Sequence, residues 1–197
     1  MKLRGLILIF LTALASIGFA QDGPPPKELM VTKRILLAVL PKIQTELKIT
    51  SDQRTRIFAA FGDSLEVEGD RIKLMLTGDQ NLGEMEVAAM KVLDSVQQKR
   101  LEEVWLQRLG GIALGDEAVA KRVGLTADQK KEVDGLIEGG GAAIVDLMRD
   151  GPDPSAAKQV SDIRKKVGIK AEALLTDSQK RAFEGLKGKP FDMKQAG

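Results

Sequence analysis

Apolar residues recur along most of the chain with the period of an α-helix. Leu36, Leu40, Ile43 and Leu47 fall at i, i+4, i+7 and i+11, the spacing that lines one helix face. Phe58, Phe61, Leu65, Ile72 and Leu76 continue such a stripe, with Gly69 near the same face. Val133, Ile137, Gly140, Ile144 and Leu147 form a third stripe. Ala156, Val160, Ile163, Val167, Ala171 and Leu174 form the most regular one. No sustained apolar/polar alternation argues for a strand, so the pattern predicts an all-α fold. Gly139-Gly140-Gly141 lies within the third stripe without shifting its phase. That predicts one helix with a weak or kinked centre, since each Gly costs about 1 kcal/mol against Ala in a helix interior. Thr77 to Gly83 and Asp150-Gly151-Pro152-Asp153-Pro154 read as breaks.

A short motif recurs at the starts of these segments: an aliphatic residue, Thr or Asp, two residues, then Gln. The copies are Ile49-Thr50-Ser51-Asp52-Gln53, Leu93-Asp94-Ser95-Val96-Gln97, Leu125-Thr126-Ala127-Asp128-Gln129 and Leu175-Thr176-Asp177-Ser178-Gln179. The spacing is that of a capping box. Thr or Asp at the N-cap accepts from the N3 amide, and the N3 Gln reaches back to the N-cap amide. The copies form two pairs, offset by 76 (126 − 50) and by 82 (175 − 93). Val119, Val123 and Leu125 match Ile43, Leu47 and Ile49 at the first offset. An insertion of about six residues between Gly139 and Pro154 accounts for the difference between the offsets.

The pattern therefore predicts an internal duplication. Residues 38–111 and 112–187 are two tandem helical-hairpin units. Each has a short helix, a long helix, a third helix and a capped final helix. Residues 21–37 form a tether with the start of the first helix, and 188–197 form a tail. Separate hairpins of this size bury little surface, so the units are expected to pack together.

The first residues change the reading of charge. Lys2 and Arg4 precede an apolar stretch from Leu6 to Leu14, and Gly18 and Ala20 are small residues at −3 and −1. Met1 to Ala20 thus has the three parts of a cleavable signal peptide, with the cut before Gln21. The alternative, an uncleaved anchor, calls for an apolar run of about 20 residues. Without Lys2 and Arg4 the chain carries 28 basic (30 − 2) and 28 acidic residues. That neutrality gives no electrostatic footprint for nucleic acid. Zero cysteines exclude a disulfide staple. With six Phe, one Trp and no Tyr, aliphatic residues must supply the core, which suits helix packing.

The paired boxes in an exported, cysteine-free helical chain resemble the LTXXQ family of periplasmic stress proteins, the Spy/CpxP-like proteins. The resemblance covers most of residues 38 to 187 and rests on Ile49, Thr50, Gln53, Leu125, Thr126, Gln129, Leu175, Thr176 and Gln179. Leu93, Asp94 and Gln97 depart from it by Asp for Thr, a residue that caps equally well. The resemblance implies long bent helical hairpins and a homodimer with a concave face, although a tandem chain can stand in for a dimer. It implies a periplasmic, ATP-independent chaperone, a holdase for unfolding envelope proteins. An envelope-stress regulator binding one sensor protein, and a metal-responsive protein, are the alternatives. A client site is expected along the long helices that begin at Thr50 and Thr126.

The sequence offers no catalytic set and no cofactor loop. With no His, Cys or Tyr, a Ser-His-Asp triad, a thiol nucleophile and the usual zinc ligands are excluded. Glu102-Glu103 and Glu66 with Asp70 could form carboxylate pairs, but read as solvated helix charge. Asp128 and Glu132 beside Lys130 and Lys131 read as a salt-laced surface. Gly110-Gly111 and the Gly139 triplet fit no phosphate-loop motif. The methionines at 30, 75, 85, 90, 148 and 193 form no compact cluster for a soft metal. Trp105 reads as core, with contact to a client as the alternative.

Overall fold

Six consecutive apolar residues, Ile35 to Leu40, leave no polar face for water, and a helix that is hydrophobic all round belongs inside a fold. The computed structural model describes residues 7–8, 30–68, 71–76, 81–149 and 155–192. The expected signal segment apart from Ile7 and Leu8, the cut before Gln21 and the proline tether lie outside these residues. So do Gly69, Asp70, most of the break before Gly83, Asp150 to Pro154 and the end of the tail.

A 3-10 helix, Arg34–Val39, carries this apolar run, and each side chain from Ile35 to Leu40 is at most 1% exposed. Pro41 then forces a change. The residue before a proline avoids the helical region, and Leu40 is extended (φ −76°, ψ 132°) before α1, Pro41–Glu46. The stripe Leu36, Leu40, Ile43, Leu47 therefore spans two elements rather than one helix. After a turn with Lys48 at φ 52°, α2 runs Ser51–Phe61.

The long helix expected in the first half is a correction. α2 stops at Phe61 because Gly62 takes φ 53°, ψ −140°, a conformation open to glycine and strained for other residues. After the 3-10 turn Gly62–Ser64 the chain forms an antiparallel hairpin of β2, Leu65–Glu68, and β3, Arg71–Leu76. Leu65 faces Leu74, and Val67 faces Ile72. Ile72 and Leu74 are fully buried while Glu66 is exposed, which is the alternation of a half-buried sheet. Leu65, Ile72 and Leu76 thus belong to a sheet and not to a helical stripe. A two-residue strand β1, Ile7–Leu8, pairs antiparallel on the other side of β3, giving the order β1-β3-β2. The framework is nonetheless helical. α3, Leu82–Met90, follows, capped by Asn81, and α4, Ser95–Leu109, closes the first half.

The second half repeats the plan. A 3-10 helix, Gly110–Gly115, leads to α5, Glu117–Val123, then α6, Ala127–Arg149, α7, Ala156–Ala173, and α8, Asp177–Lys187. The matched unit thus includes the 3-10 helix that opens each half. α6 is continuous through Gly139 to Gly141, with Val133, Ile137, Gly140 and Ile144 on its buried side. The six-residue offset falls between α6 and the end of α7, where the first half has its hairpin.

The halves share one core and one polar seam. α4 packs against α8 of the other half, with Leu101, Val104, Trp105 and Leu106 buried. Met30 from the start of the chain lies fully buried beside Gly140. Arg34 bridges the halves, bonding Glu102 at 3.1 Å and Asp116, the N-cap of α5, at 2.9 Å. Its guanidinium lies 4.6 Å from the Trp105 ring centre. Arg122 reaches the same Glu102 at 2.8 Å. Arg100 bonds Glu46, Glu103 and the carbonyl of Lys189. Burial works to lower the Arg100 pKa, but the bonds to Glu103 and Glu46 outweigh it and raise the net value.

Candidate interaction site

All four motif copies are capping boxes. The Thr50, Asp94, Thr126 and Thr176 side chains accept from the amides of Gln53, Gln97, Gln129 and Gln179 at 3.2, 2.8, 3.2 and 3.3 Å. Each Gln side-chain oxygen accepts the N-cap amide in return. The aliphatic residues ahead of them, Ile49, Leu93, Leu125 and Leu175, pack on the core, with Leu93 and Leu175 buried.

The glutamines also do something that capping does not require. Gln53 Nε2 donates to Gln97 Oε1 at 2.8 Å, and Gln97 Nε2 donates to Gln53 Oε1 at 3.0 Å. The second hydrogen of each amide goes to a turn carbonyl: Gln53 to Val92, and Gln97 to Leu47. The second half has the same arrangement. Gln129 and Gln179 donate to each other at 2.9 and 2.8 Å, and onward to Leu174 and Gly124. Each amide uses two donor hydrogens and two acceptor positions, so each cluster is saturated. The four boxes are thus two locks, each clamping the starts of two helices in one half.

The symmetry fails beside those locks. An open groove of about 800 Å³ lies along α5 and the start of α6. Leu125 and Ala127 line it together with Lys121, Lys131 and Glu138. Lys130 within it is held by Asp134 and, at 3.8 Å, by Glu117. Shifted back by 76, Ala120 becomes Gln44, Lys130 becomes Arg54 and Asp134 becomes Phe58. In the first half Arg54 Nε donates to Gln44 Oε1 at 2.7 Å, and Gln44 Nε2 donates to the Val39 carbonyl at 3.2 Å. Gln44 is 6% exposed, and Phe58 packs on the core. Ala120 is itself only 4% exposed, so the groove opens beside this position, over the exposed side chains of α5 and the first turns of α6.

The other sequence candidates are structural. Trp105 is 2% exposed and its Nε1 donates to the Thr32 carbonyl at 2.6 Å, so it cannot touch a client. Glu102 and Glu103 are committed to Arg34, Arg122 and Arg100. The expected client surface along a long helix from Thr50 has no such helix to lie on, whereas α6 from Thr126 carries the groove. The exposed Val87, Val96 and Ile169 sit singly on α3, α4 and α7, which is ordinary for a protein surface. Sequence reasoning missed the glutamine locks, the Arg34 seam and the groove. Only the groove left a signal, the Gln44 to Ala120 change within the aligned halves. Among the described residues no helix is long and apolar enough to cross a membrane. No protein-family model matches the chain, and no curated protein or solved structure is significantly similar to it.

Proposed function

We propose that the chain is an exported, ATP-independent holdase of the LTXXQ kind, acting in the periplasm on unfolding proteins. The observation that carries this reading is the open groove on α5 and α6, where Leu125 and Ala127 lie among charged side chains of both signs. Leu125 and Ala127 offer weak contact to exposed aliphatic side chains, and the charges of both signs around them suit varied chain segments. Such contacts demand no particular sequence. The side chains around it form salt bridges rather than a nucleophile with a base, which fits binding and not turnover.

The test is light scattering with the chain from Gln21 onward and two or more unrelated aggregating clients. Equimolar protein should suppress scattering from all of them. Gly135→Gln puts bulk into the groove at an exposed lining position where an added Cβ meets nothing within 4 Å, and should weaken suppression without lowering the urea midpoint. Suppression of no client would turn the reading to a regulator with one dedicated partner. Full suppression by Gly135→Gln would move the client site elsewhere.

A further inference from the structure

Opposite charges three or four residues apart on a helix can pair with one another. α2, α4, α6 and α8 each carry such a pair. α7 departs from this. Lys158, Lys165, Lys166 and Lys170 are exposed on it, and among the described residues none of the four forms an ion pair. Its two carboxylates do not offset them: Glu172 is held by Lys187 of α8 at 3.7 Å, which leaves Asp162 alone on the outer face. Steps of three and four residues put Lys158, Asp162, Lys165, Lys166, Ile169 and Lys170 on one side of the helix, while Val167, Gly168 and Ala171 on the other side are buried. Ile169 is 60% exposed and has Lys165 and Lys166 one turn before it and Lys170 directly after it. An exposed aliphatic residue is ordinary by itself, but this one stands among unneutralised ammonium groups. Shifted back by 82, Lys165, Lys166, Ile169 and Lys170 become Gly83, Glu84, Val87 and Ala88. α3 thus exposes an aliphatic residue at the same place, Val87, without the lysines.

We propose that the outer face of α7 docks the protein on an anionic phospholipid surface, with Lys158, Lys165, Lys166 and Lys170 over headgroup phosphates and Ile169 entering the boundary between headgroups and acyl chains. The charge of the face fixes the sign of the partner, and the kind of cation fixes its class. Lysine is a compact point charge on a flexible stem, without the planar fork that grips a carboxylate or a base edge. α7 carries no aromatic residue on which a base would stack. The convex side of one helix meets a flat sheet of lipid well, because headgroups are laterally mobile and gather under the cations. An apolar side chain at that boundary adds to the electrostatic attraction. Without its leader the chain has equal numbers of basic and acidic residues, so the attraction belongs to this face and orients the protein. Each lysine near such a surface strengthens partition roughly fivefold, and salt screens the effect within a Debye length. Four lysines against one carboxylate therefore give reversible docking. The inference goes beyond the holdase reading and does not depend on it.

The experiment is co-sedimentation of the chain from Gln21 onward with vesicles of phosphatidylcholine alone and of phosphatidylcholine mixed with phosphatidylglycerol. The protein should sediment with the mixed vesicles at low salt, stay in solution with the neutral ones, and leave the mixed vesicles at high salt. Lys166→Ala combined with Lys170→Ala should lower partition about 25-fold, two factors of about five. Ile169→Ser should lower it as well, whereas Val87→Ser on α3 should leave it unchanged. Urea midpoints of these variants should match the parent, since the side chains are exposed. No binding to the mixed vesicles, equal binding to both kinds, or partition that survives the double lysine variant would overturn the proposal. Equal losses from Ile169→Ser and Val87→Ser would also overturn it. Tighter binding to soluble polyglutamate than to the mixed vesicles, lost in the same lysine variant, would give the face to an acidic polypeptide and overturn the lipid assignment. Client suppression is measured without vesicles, so failure of the holdase reading and failure of this one are told apart.

Discussion

Gln97→Ala is the sharpest probe of the lock that holds the first half together. The side chain is 8% exposed. Its oxygen accepts from the Asp94 amide at 3.0 Å and from Gln53 at 2.8 Å, and its nitrogen donates to Gln53 at 3.0 Å and to Leu47 at 3.1 Å. A net intramolecular hydrogen bond contributes about 1 kcal/mol, and a buried partner left bare costs about 1–3 kcal/mol. Four bonds go, but Gln53 is only partly buried, so water repairs some of the loss. The expected cost is about 2–4 kcal/mol, above the ~1 kcal/mol of an isolated cap. Urea melts followed by Trp105 fluorescence report it, because Trp105 is the sole tryptophan and is buried. A double-mutant cycle with Gln53→Ala should return a coupling of about 1–2 kcal/mol, the two reciprocal bonds. Gln97→Glu should be worse than Gln97→Ala at neutral pH, since a carboxylate cannot donate to Gln53 or Leu47. Coupling within the ~0.5 kcal/mol scatter of independent sites would refute the lock and leave two separate caps.

Two further predictions follow from the packing of α6 and from the seam. A Cβ on Gly139 meets nothing within 4 Å, whereas one on Gly140 would lie 2.8 Å from Val167 Cγ2 and 3.0 Å from Met30 Cε. Gly139→Ala should therefore stabilise by about 0.5–1 kcal/mol, and Gly140→Ala should destabilise by about 1–2 kcal/mol after its helix-propensity gain is counted; thermal melts giving both the same sign would be inconsistent with this packing. Arg34→Ala removes two ion pairs and the contact with Trp105 and should cost about 2–3 kcal/mol; the loss should shrink in high salt, and a change within ±0.5 kcal/mol would mean that the seam does not join the halves.

The helix starts were legible because capping is local: four residues carry the whole signal, whatever surrounds them. The run of α6 across three glycines was legible for a related reason, since Val133, Ile137 and Ile144 keep phase around them. The hairpin was hidden by coincidence of spacing. Phe58, Phe61, Leu65, Ile72 and Leu76 step by 3, 4, 7 and 4 residues, which satisfies a helix as well as it does a helix end followed by strands. The two clues against a helix were Gly62 just after the second Phe and the short alternation Arg71-Ile72-Lys73-Leu74. The glutamine locks could not be read from the chain, because Gln53 and Gln97 meet across 44 residues. A capping box gives no hint that its Gln has two hydrogens to spare. The groove was hidden because it is a shape between α5 and the start of α6, which no local run of residues records.

The divergence of the halves separates what a duplicated fold must keep from what it can change. Both keep the two boxes and the reciprocal glutamine pair, which fix where the helices start and how they meet. They differ beyond those points. In the first half the 3-10 helix is buried on all sides, and Gln44 with Arg54 closes the position beside the lock. In the second, the 3-10 helix is likewise buried from Gly111 to Gly115 but built with glycines at 110, 111 and 115, and the smaller Ala120 replaces Gln44 beside an open groove. The first half thus contributes a large share of the apolar core, while the second carries the longer helix and the open groove. A small open unit would be marginal alone, since a short chain buries too little surface to offset its conformational entropy. Joined covalently to a filled copy, and clamped by Arg34 between Glu102 and Asp116, it can keep a groove uncovered. On this argument the tandem arrangement matters less as a substitute for a dimer than as a division of labour, with one copy stabilising the surface that the other presents.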